Sequence, residues 1–177
     1  MRKSWNNKIF KHIQTSVDKA SKKLAEERGS CPDAEEYGFK ERFSNKTAIA
    51  PTASISIICG GASPGVEPVA ANSYTHKTLS GSYNVRNKYL KKILEKYGKN
   101  DDTTWSTITT NQGSVSHLDF LTDHEKDVFK TAFELNQKWI IELGADRTPY
   151  VSQAQSINIF LPADVHKKEL HQIHFQA

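Results

Sequence analysis

The sequence predicts an α/β fold with some parallel strands, and three observations carry that expectation. Two short β-type runs, Thr47 to Ala50 and Ser156 to Leu161, are separated by segments of helical periodicity. Strand, helix, strand, helix in alternation is the pattern of parallel pairing through crossovers. The first run stops at Pro51 and opens into a loop of small and hydroxyl residues. Finally, the helix starts and stops fall where capping chemistry asks for them.

In chain order, residues 1–29 read as an amphipathic helix. Ile9, Phe10, Ile13, Val17, Ala20 and Leu24 recur at three- and four-residue intervals with Lys and Glu between them, and Gly29 and Pro32 end the run. Residues 30–46 are charged and turn-rich, a loop leading to the Thr47 strand. Thr78 to Val85 alternates poorly and reads as loop or short strand. Lys88 to Tyr97 is helical, with Tyr89, Leu90, Ile93 and Leu94 on one stripe, closed by Gly98. Lys99 to Thr104 reads as a surface turn. Thr122 and Glu125 match a capping box, in which the hydroxyl accepts from the third helical amide and the carboxylate reaches back. Apolar positions from Val128 to Leu143 then continue as one helix to Gly144, with Trp139 in the core. Pro162 ends the second strand, and Pro162 to His166 opens a last helix carrying Val165, Leu170 and Ile173. There is no internal repeat and no low-complexity tract.

The chain has 177 residues, long enough for one domain with a sizeable core. Apolar content of 37% is modest, but 3 Trp, 6 Tyr and 8 Phe argue against disorder. The net charge of +4 suits an anionic substrate. Its lysines are spread along helix faces, without the clustered basic surface and interleaved aromatics of a nucleic-acid binder. Only Cys31 and Cys59 are present, and no zinc or disulfide spacing appears. No long apolar run or signal core is found. Reduced thiols in a cytoplasmic setting, with no membrane and no nucleic acid as partner, are the expectation.

The loop from Pro51 to Pro68 is the candidate site. Thr52, Ser54 and Ser56 offer hydroxyls, while Ala53 and Ile55 offer only backbone N–H groups and allow an anion to approach. Such a composition suits a phosphate cradle built from amides at a turn or at a helix N-terminus. A Walker lysine and a Gly-x-Gly-x-x-Gly are both lacking. The competing reading is a core strand from Ser54 to Cys59 followed by a Gly/Pro-rich turn.

These residues resemble a known family. Ile49 to Ile55 (IAPTASI) followed by Ser63 to Pro68 (SPGVEP) is similar to the large, catalytic subunit of ribonucleotide reductase. The likeness continues through Tyr74–Tyr83 (YTHKTLSGSY), Val85–Leu90 (VRNKYL), Gly113–Leu118 (GSVSHL), Val128–Glu134 (VFKTAFE) and Gln153–Phe160 (QAQSINIF). It covers most of residues 5–177 in collinear order. The resemblance implies the C-terminal part of a ten-stranded α/β barrel, incomplete in this chain. The chain would form a single segment of that barrel, with a helix over 1–29, a substrate-phosphate loop region over 47–68, and the remaining strands and helices over 69–177. It further implies that Pro51, Thr52, Ala53, Ser54, Ile55 and Ser56 hold the diphosphate of a ribonucleoside diphosphate, and it favours a class I enzyme.

The same resemblance implies partners and cofactors outside this chain. A metal-containing small subunit would generate the radical, a thioredoxin- or glutaredoxin-type dithiol would supply electrons, and the remainder of the large subunit would complete the site. The family's thiyl cysteine, redox pair, catalytic glutamate, allosteric region and adjacent tyrosines have no counterpart here. Residues 1–177 alone are therefore expected to be inactive, either a gene fragment or one piece of a split subunit, and prone to stick. A standalone nucleotide- or phosphate-binding module without redox activity is the alternative.

Other features read as structural. His171 and His174 share a helical face, with His166 off it, so no metal set converges. Cys59 reads as a small buried apolar residue, and Glu67 as a lone structural carboxylate without an acid/base partner.

Overall fold

A computed structural model describes residues 2–79 and 81–177. The chain divides into two compact units, Met1–Thr52 with Lys138–Asn158 and Lys167–Ala177, and Ala53–Gln137 with Ile159–His166.

The first unit is built on helix α1 (Arg2–Arg28), which ends as expected where Gly29 takes φ +82° and its N–H bonds the Ala25 carbonyl. Pro32 does more than stop α1. It occupies the first turn of a short helix, α2 (Pro32–Glu36), inside the stretch expected to be loop. Helices α7 (Lys138–Arg147) and α8 (Lys167–Gln176) complete this unit, with α1 and α8 each packing on α7. The last helix thus begins five residues later than its proline suggests.

The expected strands are present only as a short parallel pairing. Ile49 bridges Gln155 in parallel; Ile49 N–H donates to the Ala154 carbonyl at 3.2 Å and Ser156 N–H to the Ile49 carbonyl at 2.8 Å. Gln153 N–H adds a bond to the Thr47 carbonyl, and the Thr47 and Ser152 hydroxyls meet at 3.3 Å. The parallel bridge falls at Gln155, one residue before the expected run Ser156 to Leu161.

The second unit opens with α3 (Ala53–Ile58), then an antiparallel hairpin, β1 (Ser73–Thr78) and β2 (Gly81–Arg86), with Ser73 opposite Arg86. Helices α4 (Lys88–Lys96), α5 (Asp102–Thr110) and α6 (Asp123–Val128) follow. Their core is Leu90, Leu94, Trp105, Ile108, Val115, Leu118, Leu121 and Phe129. Asn87 caps α4 by accepting from the Tyr89 and Leu90 amides. The expected turn at Lys99 to Thr104 extends only to Asp101, and α5 starts at Asp102. The Asp101 carboxylate accepts from Thr104 N–H at 2.8 Å, so an acidic, polar stretch that reads as turn is a helix cap.

The single helix expected from Thr122 to Gly144 is broken. The Thr122–Glu125 capping box forms, with Glu125 Oε2 accepting from Thr122 N–H at 2.9 Å. After Val128 the chain leaves the helix, and a second Thr-x-x-Glu set restarts it as a 3₁₀ turn over Ala132–Glu134, where Glu134 accepts from Thr131 N–H and its hydroxyl. The Gln137 amide donates to the Ala132 carbonyl at 2.7 Å, taking the acceptor that a continuous helix would offer to residue 136. Trp139 is consequently not core: it is half exposed, with the Lys3 ammonium 5.9 Å from its ring centroid.

Gly113 sits where only glycine fits. Its φ is +81°, and a Cβ there would lie 2.7 Å from Ala71 Cα and 2.9 Å from Asn72 N. Gly113→Ala is expected to destabilise the protein by roughly 2 kcal/mol or more, measured by urea unfolding. Acid should weaken the same unit. Glu125 is held below the usual carboxylate range by the Thr122 amide and hydroxyl. For Glu134, burial pushes upward, but Ser114 and Thr131 donors outweigh it and leave it lowered. Lowered native pKa values stabilise above the unfolded value, about 4.3, and that contribution is lost as pH falls through the native values. Urea midpoints should therefore drop as pH falls below about 5, and the Glu125→Gln, Glu134→Gln double variant should show a flatter profile.

Candidate functional site

Pro51 and Thr52 follow directly on the Ile49 pairing at the end of the first unit's strand. Pro51 is exposed, and Thr52 is half-buried with φ +54°, a left-handed conformation that is uncommon for a β-branched residue. The chain then enters α3 at Ala53.

The alternative strand over Ser54 to Cys59 is absent, since Ala53–Ile58 is helical. Local bonds explain the helix. Ser56 Oγ donates to the Ala53 carbonyl at 2.7 Å, and Cys59 N–H donates to the Ile55 carbonyl at 2.9 Å. Gly60 and Gly61, both at positive φ, close the end, with Gly61 N–H bonding the Ser56 carbonyl at 3.0 Å. The Lys88 ammonium donates to the Gly60 carbonyl at 3.1 Å, placing a cation at the carbonyl end of α3. Lys88 escaped the sequence reading; its only signal was its place just after the Asn87 cap.

The six residues singled out from sequence therefore divide by role. Ala53, Ser54 and Ile55 form the exposed first turn of α3, where backbone N–H groups have no carbonyl four residues back. Ser54 keeps an exposed hydroxyl. Ser56 is buried, and its hydroxyl proton is committed inside the helix. In the segment expected as an anion site, Ser54 is thus exposed and Ser56 turned inward.

Glu67 is buried in a turn closed by Ser63 Oγ donating to its carbonyl at 2.5 Å. Cys59 is exposed, which overturns its reading as a buried apolar residue, and Cys31 is half-buried. His166, His171 and His174 are exposed, and His171 packs on the Phe175 ring. Among the described residues no group of three His, Cys, Asp or Glu is placed to hold a metal ion. Trp105 is buried, its indole N–H donating to Asn100 Oδ1 at 2.8 Å. No described helix is long and apolar enough to cross a membrane.

Known proteins share this arrangement. The family described as "Ribonucleotide reductase, barrel domain" matches residues 33–177. The chain belongs to the ribonucleotide reductase barrel-domain family. A ribonucleoside-diphosphate reductase large subunit of Invertebrate iridescent virus 6 is 48% identical over 176 residues, 97% of this chain and 18% of that protein. One of Invertebrate iridescent virus 3 is 43% identical over 175 residues, covering 97% of this chain and 28% of the relative. The Actinobacillus ureae class Id ribonucleotide reductase alpha subunit superimposes with a TM-score of 0.87 at 38% identity, over 98% of this chain and 31% of that one. The chain thus spans under a third of the length of these relatives, as a portion of the reductase barrel, and the expected family and α/β barrel fold are borne out.

Ser56→Ala is expected to lower stability by about 1 kcal/mol through loss of the bond to Ala53. Its effect on phosphate binding should stay within about twofold, because that hydroxyl already serves the helix. Urea unfolding and a pyrophosphate titration check both parts.

Proposed function

We propose that this protein supplies the diphosphate-holding wall of a ribonucleoside-diphosphate reductase large subunit. The observation that carries this reading is the exposed first turn of α3, with the amides of Ala53, Ser54 and Ile55 next to the Pro51–Thr52 turn. The similarity to the viral reductase large subunits and to the class Id alpha subunit supports it.

In the proposed reaction the 2′-hydroxyl of the ribonucleotide leaves as water and is replaced by hydrogen, while a dithiol is oxidised to a disulfide. The radical that starts this chemistry would come from a metal-containing small subunit, and thioredoxin or glutaredoxin would reduce the disulfide. Neither Cys31 nor Cys59 is assigned a part in it. What these residues contribute is orientation. Amides at a helix start hold the diphosphate without a counter-cation, and the diphosphate fixes where the sugar sits. A displacement of about 1 Å at the reacting carbon can lower the rate roughly a hundredfold, so remote anchoring of this kind is felt at the chemistry. Partners are the ribonucleoside diphosphate, the remainder of the large subunit and the small subunit, in the cytoplasm, with deoxyribonucleotides for DNA replication as product. The 177 residues by themselves are expected to show no turnover.

Titration of the chain with ADP, followed by amide NMR, should move Ala53, Ser54 and Ile55, and adenosine should not. Ser54→Pro removes one N–H while proline remains tolerated in a first turn. It should weaken ADP at least about tenfold, the scale of one charge-assisted bond. ADP shifts confined to other residues would overturn the reading. Equal response to adenosine would favour a site that reads the nucleoside.

A further inference from the structure

Arg147 is the least expected charge in the molecule. It is 4% exposed at the end of α7, and among the described residues no carboxylate forms an ion pair with it. Burying a cation away from a counter-charge is costly unless its N–H groups are matched. Here neutral amides accept from two of its nitrogens. Nε donates to Gln155 Oε1 at 3.1 Å and Nη1 to Asn6 Oδ1 at 3.4 Å, while the guanidinium lies 5.4 Å from the Phe10 ring centroid. Burial pulls its pKa down, partly offset by Asp146, and a guanidinium remains charged throughout.

The amide partners are themselves committed. Because Gln155 Oε1 faces Arg147, its Nε2 is turned to the Gly144 carbonyl at 3.0 Å and the Thr148 hydroxyl at 2.9 Å. Asn6 Nδ2 donates to the Leu143 carbonyl at 3.0 Å. Arg147 thereby decides which way two amides point, and those amides join α1, α7 and the Gln155 strand. A Cβ at Gly144 would lie 2.7 Å from Cδ1 at the tip of the Ile157 side chain. Gln155 is also the residue that bridges Ile49, two positions before Pro51.

We propose that Arg147, acting through Gln155, is a positioning residue for the substrate-phosphate loop: it fixes the strand on which Ile49 pairs and so sets where Pro51 and Thr52 begin. The inference rests on the reading of Pro51–Ser56 as the diphosphate loop, but its geometric half stands on the Ile49 pairing alone. Lysine keeps the charge and cannot serve Gln155 and Asn6 together from one planar fork.

Hydrogen exchange on the full 177-residue chain tests it, with Arg147→Lys, Arg147→Met and Gln155→Leu compared with wild type. Exchange at the Ile49 and Ser156 amides should speed at least about tenfold in all three, with Gly113 N–H in the second unit unchanged. Lysine should fail as methionine does. Pyrophosphate affinity should fall about tenfold in the same variants. Three results are decisive against the proposal: unchanged exchange at Ile49, equal acceleration throughout the protein, or full rescue by lysine. If exchange responds locally but wild type binds no pyrophosphate, the diphosphate reading falls and the strand-positioning role stands.

Discussion

The second unit depends on one buried amide. Asn72, 1% exposed, donates from Nδ2 to the Gly113 carbonyl at 3.0 Å and the Phe129 carbonyl at 2.7 Å, and its Oδ1 accepts from Asn87 Nδ2 at 2.9 Å. Its backbone N–H and carbonyl bond Gly113 and Asn87 as well. One residue therefore joins the start of the hairpin, the cap of α4, the turn after α5 and the end of α6. Every polar atom of that side chain is satisfied, so low dielectric strengthens these bonds. Any change that orphaned one of them would leave a buried acceptor or donor costing about 1–3 kcal/mol. The constraint extends to Gly113, whose bare backbone is what lets Ala71 and Asn72 approach. Hydrophobic burial of Leu90, Leu94, Trp105 and Ile108 drives the collapse, but the amide selects which collapsed arrangement forms.

The first unit solves a similar problem with a charge at its centre. Its parallel pairing is short, and parallel strands are ordinarily buried on both faces within a larger sheet. Main-chain bonds between Thr47–Ile49 and Gln153–Ser156 are few, so side chains reinforce them: the Thr47 and Ser152 hydroxyls at one end, Gln155 and Arg147 at the other. A buried arginine matched by amides resists replacement by an apolar residue, because the amides would then be orphaned too. Both units thus use polar groups to specify geometry that apolar packing alone would leave degenerate.

How much of this was legible in the sequence depended on whether a residue's neighbours in space were also its neighbours in the chain. Helices α1 and α4 and the Thr122 box could be read because their signals are local. The break after Val128 was hidden by apolar spacing that continues through Phe129, Ala132 and Phe133. Its mark was a second Thr-x-x-Glu, at Thr131 and Glu134, that competes for the chain. The hairpin was obscured because Tyr74 and Tyr83 are exposed, so neither strand shows inward–outward alternation. Helix α5 looked like a turn because its cap, Asp101, lies among residues that also favour turns. At the candidate loop the choice between turn, helix start and strand was left open by composition. The helix follows from Ser56 bonding back to Ala53 and from the two glycines behind it. The roles of Lys88 and Arg147 depend on contacts 28 residues away and 141 residues away, and no local pattern announces them.

The shortness of α3 shapes what kind of anion site it can be. With six residues it has little more than one and a half turns, so in the proposed role a phosphate would be held by individual amides rather than by a long aligned dipole. Such donors act over hydrogen-bond distance, and their value falls steeply when the turn shifts or frays. Short helices are also marginal on their own. The geometry of the turn must then be imposed from its ends. At the far end Gly60 and Gly61 close the helix and Lys88 holds the Gly60 carbonyl; at the near end Thr52 keeps a left-handed conformation directly after a proline and a paired strand. Thr52 is the last residue before α3 begins at Ala53. In the proposed role the loop would depend less on its hydroxyls than on the glycines and Lys88 that hold the far end of α3.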